Sequence, residues 1–145
     1  MRSQTQSELE KWMKENCYNF NSYSINGRTI SEGFGIEDWG GLFIWYYTER
    51  GERNNLDYFQ SEKEAIEYAY EKIISDKWAN AHIVGYTTNK DEQGELTNIL
   101  DELGISYMND EIPYSGPGRP AYRIFVFGCD INRIKHLRDI YYKQC

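Results

Sequence analysis

The chain has 145 residues, a net charge of −7, 40% hydrophobic and 16% aromatic residues. That length is ordinary for one domain and long enough to bury a core without a disulfide framework or a structural metal. The aromatic content argues against disorder, and the lack of any run of about 18 apolar residues argues against a membrane span. The charge is unevenly spread, with 20 acids and 10 bases in residues 1–110 against 3 acids and 6 bases in residues 111–145. An acidic body repels nucleic acid and draws basic partners.

Residues 1–7 lead directly into a polar helical pattern with no apolar leader, so a signal peptide is not expected. Ser7 to Cys17 reads as a helix, with Ser7 as cap, Glu10 three residues on, and Leu9, Trp12 and Met13 at helical spacing. Thr29 to Gly41, with four glycines among Ile30, Phe34, Ile36 and Trp39, reads as a strand broken by a bulge or turn. Leu42 to Glu49 is the clearest strand, built from β-branched and aromatic residues. Its two alternating sets, Leu42, Ile44, Tyr46, Thr48 and Phe43, Trp45, Tyr47, are both apolar or aromatic, which predicts a central strand covered on both faces. A turn at Arg50–Arg53 returns the chain through a strand over Asn55–Phe59.

Ser61 opens a helix that the pattern of Ala65, Ile66, Ala69, Tyr70, Ile73 and Ile74 carries to about Trp78. Ala81–Thr87 is a short strand. Asn89 or Asp91 caps a helix with the stripe Leu96, Ile99, Leu100, Leu103, closed by Gly104. Ile105–Asn109 starts a strand, Pro113–Pro120 is a loop holding all three prolines, and Tyr122–Gly128 is a buried strand. Asp130 caps a last helix that turns Ile131, Ile134, Leu137, Ile140 and Tyr141 to one side. This order predicts an α+β fold with a mixed, mostly antiparallel sheet and about four helices. It is read as one domain over 1–145, with sub-lobes at 1–78 and 79–145 as the alternative division.

Little in the chain points to catalysis. The two histidines, His82 and His136, have no ligand-spaced companions, so neither a metal site nor a cofactor is expected. Cys17, Cys129 and Cys145 are three and widely spaced; they are read as reduced thiols, in keeping with a cytoplasmic protein. No nucleophile elbow, P-loop or dinucleotide fingerprint occurs. Paired carboxylates on helices, Asp91-Glu92 and Asp101-Glu102, read as solvated faces; Asp110-Glu111, placed in a loop, is the seat of an alternative enzyme reading with acid–base work there. The Ser115–Pro120 segment reads as a strand connection, or as a rigid loop presenting Arg119 to a partner.

The stretch from Gly41 to Gly51 (Gly-Leu-Phe-Ile-Trp-Tyr-Tyr-Thr-Glu-Arg-Gly), followed by Phe59-Gln60-Ser61-Glu62-Lys63-Glu64-Ala65-Ile66-Glu67-Tyr68, resembles the immunity proteins of bacterial polymorphic-toxin and contact-dependent growth inhibition systems. The resemblance covers about residues 41–70. It implies a cytoplasmic, non-enzymatic toxin inhibitor that binds the C-terminal domain of a cognate toxin, a basic nuclease with an RNase favoured; the sequence leaves the oligomeric state open, with a monomer favoured. It carries over no site residues, because such interfaces vary with the toxin. A generic regulatory protein-binding domain is a further alternative. On the inhibitor reading, the acidic clusters Glu32, Glu37, Asp38, Glu49, Glu52 and Asp57, with Trp39 beside them, and the pair Asp91, Glu92, are the expected contacts to a basic partner.

Overall fold

Thr5, two residues before the expected cap, opens the first helix. Its hydroxyl accepts the Glu8 N–H at 3.1 Å, and the Glu8 carboxylate accepts the Thr5 N–H at 3.1 Å, a reciprocal box that satisfies two otherwise orphaned donors. The computed structural model describes residues 4–113 and 118–142. Backbone contacts divide it into two units, Met1–Asn80 and Ala81–Cys145. The fold is α+β with mostly antiparallel strands, distributed over two sheets rather than one.

The first unit runs α1 (Gln6–Glu15), β1 (Tyr23–Ser24), β2 (Glu32–Trp39), β3 (Leu42–Glu49), β4 (Glu52–Phe59) and α2 (Glu62–Ile74). Its sheet has the order β1-β2-β3-β4, with β1 parallel to β2 and the rest antiparallel. Gly40 and Gly41 join β2 to β3 at φ 64° and 91°, the double positive φ that a two-residue hairpin turn demands. Ser61 caps α2, its hydroxyl accepting the Glu64 N–H at 3.2 Å. The helix ends at Ile74 and not at Trp78 because Ser75 and Asp76 draw local bonds. The Ser75 hydroxyl donates to the Glu71 carbonyl at 2.6 Å, and the Asp76 carboxylate accepts the Trp78 N–H at 3.0 Å.

One face of this sheet is the core face. Trp45 lies parallel to Phe34 (centroids 5.5 Å apart, 9° between planes) and meets Tyr68 edge-on at 5.7 Å. Leu9 and Met13 of α1 and Ile66 and Ile73 of α2 are fully buried in the same cluster with Ile25 and Ile36. Each such aliphatic side chain contributes roughly 1.5–3 kcal/mol by leaving water. As expected, β3 is central in strand order and buried on both faces at its middle, at Trp45 and Ile44, but the cover differs: α1 and α2 pack with the Trp45 face, and among the described residues the Tyr46 face carries no helix of this unit.

The second unit runs β5 (Ala81–Thr87), α3 (Lys90–Glu102), β6 (Tyr107–Pro113), β7 (Pro120–Phe127), a 3₁₀ turn (Gly128–Arg133) and α4 (Lys135–Tyr141). The strands pair antiparallel in the order β5-β7-β6. Asn89 caps α3, accepting the Asp91 and Glu92 N–H groups at 2.9 and 3.4 Å. Val84, Leu96, Leu100, Ile124, Val126 and Ile134 form the core. The single last helix expected from Asp130 is instead a 3₁₀ turn followed by α4, and Asp130 sits within the turn and forms an ion pair with Arg133 at 3.6 Å. Of the expected proline loop, residues 114–117 lie outside the described residues, as does Cys145; Pro113 and Pro120 end paired strands. Cys17 and Cys129 each stand as a disulfide cysteine, against the expectation of reduced thiols, since spacing along the sequence does not report which sulfurs are oxidised.

Candidate protein-binding face

The open side of the four-stranded sheet is built by alternation. Glu37, Trp39, Ile44 and Tyr46 project there from β2 and β3, because Glu37 pairs with Ile44 and Trp39 with Leu42 in the ladder. A bulge between Trp45 and Tyr46 then resets the register against β4. Arg53 stands opposite Thr48 and Asn55 opposite Tyr46, while Tyr58 stands opposite Ile44. The bulge thus brings residues at an uneven spacing, Arg53, Asn55 and Tyr58, to the same side.

These six residues, Glu37, Trp39, Ile44, Arg53, Asn55 and Tyr58, line a depression of about 390 Å³. Ile44 forms its apolar floor at 4% exposure; Trp39 and Tyr58 stand up from the sheet at 68% and 57%. Arg53 lies over the ring of Tyr46 with its guanidinium carbon 3.9 Å from the centroid, and the same group forms an ion pair with Glu37. Exposed Trp and Tyr beside a stacked Arg is the composition that dominates binding energy at protein interfaces.

The expected acidic contacts divide among several places. Glu37 and Trp39 belong to this face. Asp38 points the other way, and its carboxylate accepts the Gly41 N–H at 3.0 Å in the hairpin turn. Asp57, reset by the bulge to the core side, accepts the Tyr68 hydroxyl at 2.9 Å. Glu32, Glu49 and Glu52 form a row across three strands, Glu32 opposite Glu49 and Glu49 opposite Glu52. The Tyr47 hydroxyl lies 3.3 Å from Glu32 and 3.4 Å from Glu49, and desolvation together with these carboxylates pushes its pKa up. Glu49 and Glu52 also line a second depression of about 300 Å³ with Arg50 and Asn54. Asp91 and Glu92 sit in the first turn of α3, in the second unit, where they suit the helix dipole; Glu92 also accepts the Thr87 hydroxyl at 2.9 Å.

Asp110 and Glu111 lie on β6 rather than in a loop. Asp110 takes both Nε and Nη2 of Arg123, at 2.8 and 2.5 Å, across the β6–β7 ladder. The hydrogen bond from Arg123 and the Asp110 charge outweigh burial and raise the guanidinium pKa. A forked, cross-strand pair of this kind is a fastening between strands. Among the described residues, no group of three or more His, Cys, Asp or Glu side chains is arranged to hold a metal ion. Among the described residues, no helix is long and apolar enough to cross a membrane.

Comparison with protein-family models, with curated proteins and with solved structures found no match.

Proposed function

We propose that this chain is a protein-binding inhibitor, an immunity protein that holds a cognate bacterial toxin domain in an inactive complex and performs no catalysis of its own. The observation that carries the reading is the open face of β2, β3 and β4, where Trp39 and Tyr58 stand exposed beside the stacked Arg53. Three paired strands hold these anchors in place, so little ordering cost attends their use. The strand–turn–helix of residues 41–70 supports the same reading through its resemblance to immunity proteins. The net charge of −7 favours a basic partner, a nuclease domain with an RNase in first place, and electrostatic steering would speed its capture.

The cytoplasm belongs to this reading. Disulfide cysteines such as Cys17 and Cys129 are uncommon there, so a thiol count on protein alkylated at lysis is a necessary companion measurement. The deciding experiment is binding of the purified chain to the toxin domain encoded beside its gene. Nanomolar affinity that weakens with added salt, and loss of the toxin's activity in the complex, are expected. A neighbouring toxin domain with no measurable affinity overturns the proposal.

A further inference from the structure

We infer that the depression on the open sheet face is a receptor for a guanidinium, so that the partner engaged there inserts an arginine side chain between Trp39 and Tyr58. The inference rests on the reading of this face as the binding surface and adds what the face recognises. The fold already contains one example of the arrangement: Arg53 stacks on Tyr46 and pairs with Oε2 of Glu37. Oε1 of Glu37 carries no hydrogen bond among the described residues, and the same is true of the side chains of Trp39, Asn55 and Tyr58. An entering guanidinium therefore meets a carboxylate oxygen and an amide within reach of its donors, two aromatic walls for its faces, and the buried Ile44 as floor.

Sign and shape both select this occupant. An anion would sit beside Glu37 and against the negative faces of the rings, on a unit with fourteen acidic and nine basic residues. Arg53, the cation lining the depression, is already engaged by Glu37 and Tyr46. Lysine offers no planar surface to stack and holds its water more tightly. A free small molecule would bind only weakly, since walls as exposed as Trp39 and Tyr58 leave it half in water, so the side chain of a larger partner is the occupant and a free arginine derivative is its weak-binding probe.

The test is an NMR titration of the four tryptophan indole N–H signals of the whole chain with N-acetyl-arginine amide, at constant ionic strength. N-acetyl-lysine amide and N-acetyl-glutamate amide serve as comparisons. A saturable shift of the Trp39 signal with the arginine probe is expected, with Trp12, Trp45 and Trp78 unmoved. Glu37→Gln should weaken the affinity about tenfold, the loss of one charged hydrogen bond. Tyr58→Leu, which leaves the ion pair intact, should weaken it as well and stands in if Glu37→Gln fails to keep the Trp45 signal in place. No saturable shift, an equal response to the lysine or glutamate probe, or full affinity in both variants overturns the inference. A toxin domain that binds wild type and Glu37→Gln equally sinks the guanidinium receptor and leaves the proposed function standing. Saturation at Trp39 by the arginine probe without any toxin binding does the reverse.

Discussion

Tyr46 lies over Gly35, its cross-strand partner, closely enough that a Cβ on the glycine would stand 2.4 Å from the tyrosine hydroxyl and 2.5 Å from Cζ. The missing side chain lets the ring lie down on the sheet, and Arg53 then covers its outer surface. Gly35→Ala is expected to lift the ring and unstack Arg53, at about 1–3 kcal/mol, an overpacking cost. Truncating Tyr46 in the same molecule should recover part of the loss, because the obstacle is mostly the end of a side chain, so a double-mutant cycle in urea will be non-additive. Gly33 offers no such relief. It sits at φ 139°, and a Cβ there would stand 2.1 Å from the backbone oxygen of Ser22, so Gly33→Ala should cost more than about 3 kcal/mol and resist rescue by any side-chain truncation.

The helices and the central strands could be read from the sequence because capping residues and hydrophobic periods are local signals. Ser61 and Asn89 act as caps, and Leu42–Glu49 is a strand to the residue. The proposed binding face was legible only in part. Glu37 and Trp39 were reachable from composition, but Arg53, Asn55 and Tyr58 share a side only because of the bulge opposite Trp45 and Tyr46. Strict alternation would have put Tyr58 on the side away from Arg53 and Asp57 with it. Nor does an apolar Tyr46 announce that its face carries no helix; that depends on where α1 and α2 come to rest, which no local window records.

Acid should weaken the first unit through Glu10. Burial alone would raise its carboxyl, but hydrogen bonds from Asn26 and Arg28, at 3.4 and 2.9 Å, and the charges of Lys14 and Arg28 outweigh burial and hold it below the ordinary 4.5. A folded pKa below the unfolded one means stability that is present above pH 4.5 and lost as pH falls through the folded value. Glu10→Gln is therefore expected to cost about 1 kcal/mol or less at pH 7, and the gap to wild type should close as pH falls below 4.5 and through the folded pKa. Urea midpoints measured across that range check it; a constant gap at all pH values would place the effect in packing instead.

Alkali should act through tyrosines. Tyr23 is nearly fully buried, and its hydroxyl donates to Oδ2 of Asp76 at 2.7 Å; burial first, then the bond and the charge of Asp76, push its pKa far above 10.0. Tyr68, beside Asp57, shifts the same way. A folded pKa above the unfolded one gives stability that is whole below pH 10 and declines above it, where only the unfolded chain releases the proton. Absorbance at 295 nm should show part of the 13 tyrosines ionising only as the circular dichroism signal is lost. Tyr23→Phe should cost about 1 kcal/mol at pH 7, for the bond lost to Asp76, and make the alkaline decline shallower.

The row Glu32, Glu49, Glu52 sets like charges directly opposite one another on three neighbouring strands, an arrangement that lowers stability. Glu49→Lys places a cation between the two remaining carboxylates. It is expected to raise stability by about 0.5 kcal/mol in low salt, and the gain should shrink as salt screens the row. Urea titrations at low and high ionic strength measure both effects. If the row persists because it draws a basic partner, the same substitution will slow association with that partner more than it speeds dissociation, since charges at the margin of an interface act chiefly on the encounter. A more stable variant with unchanged association kinetics would assign the row no part in binding and leave the Trp39 and Tyr58 face as the proposed recognition surface.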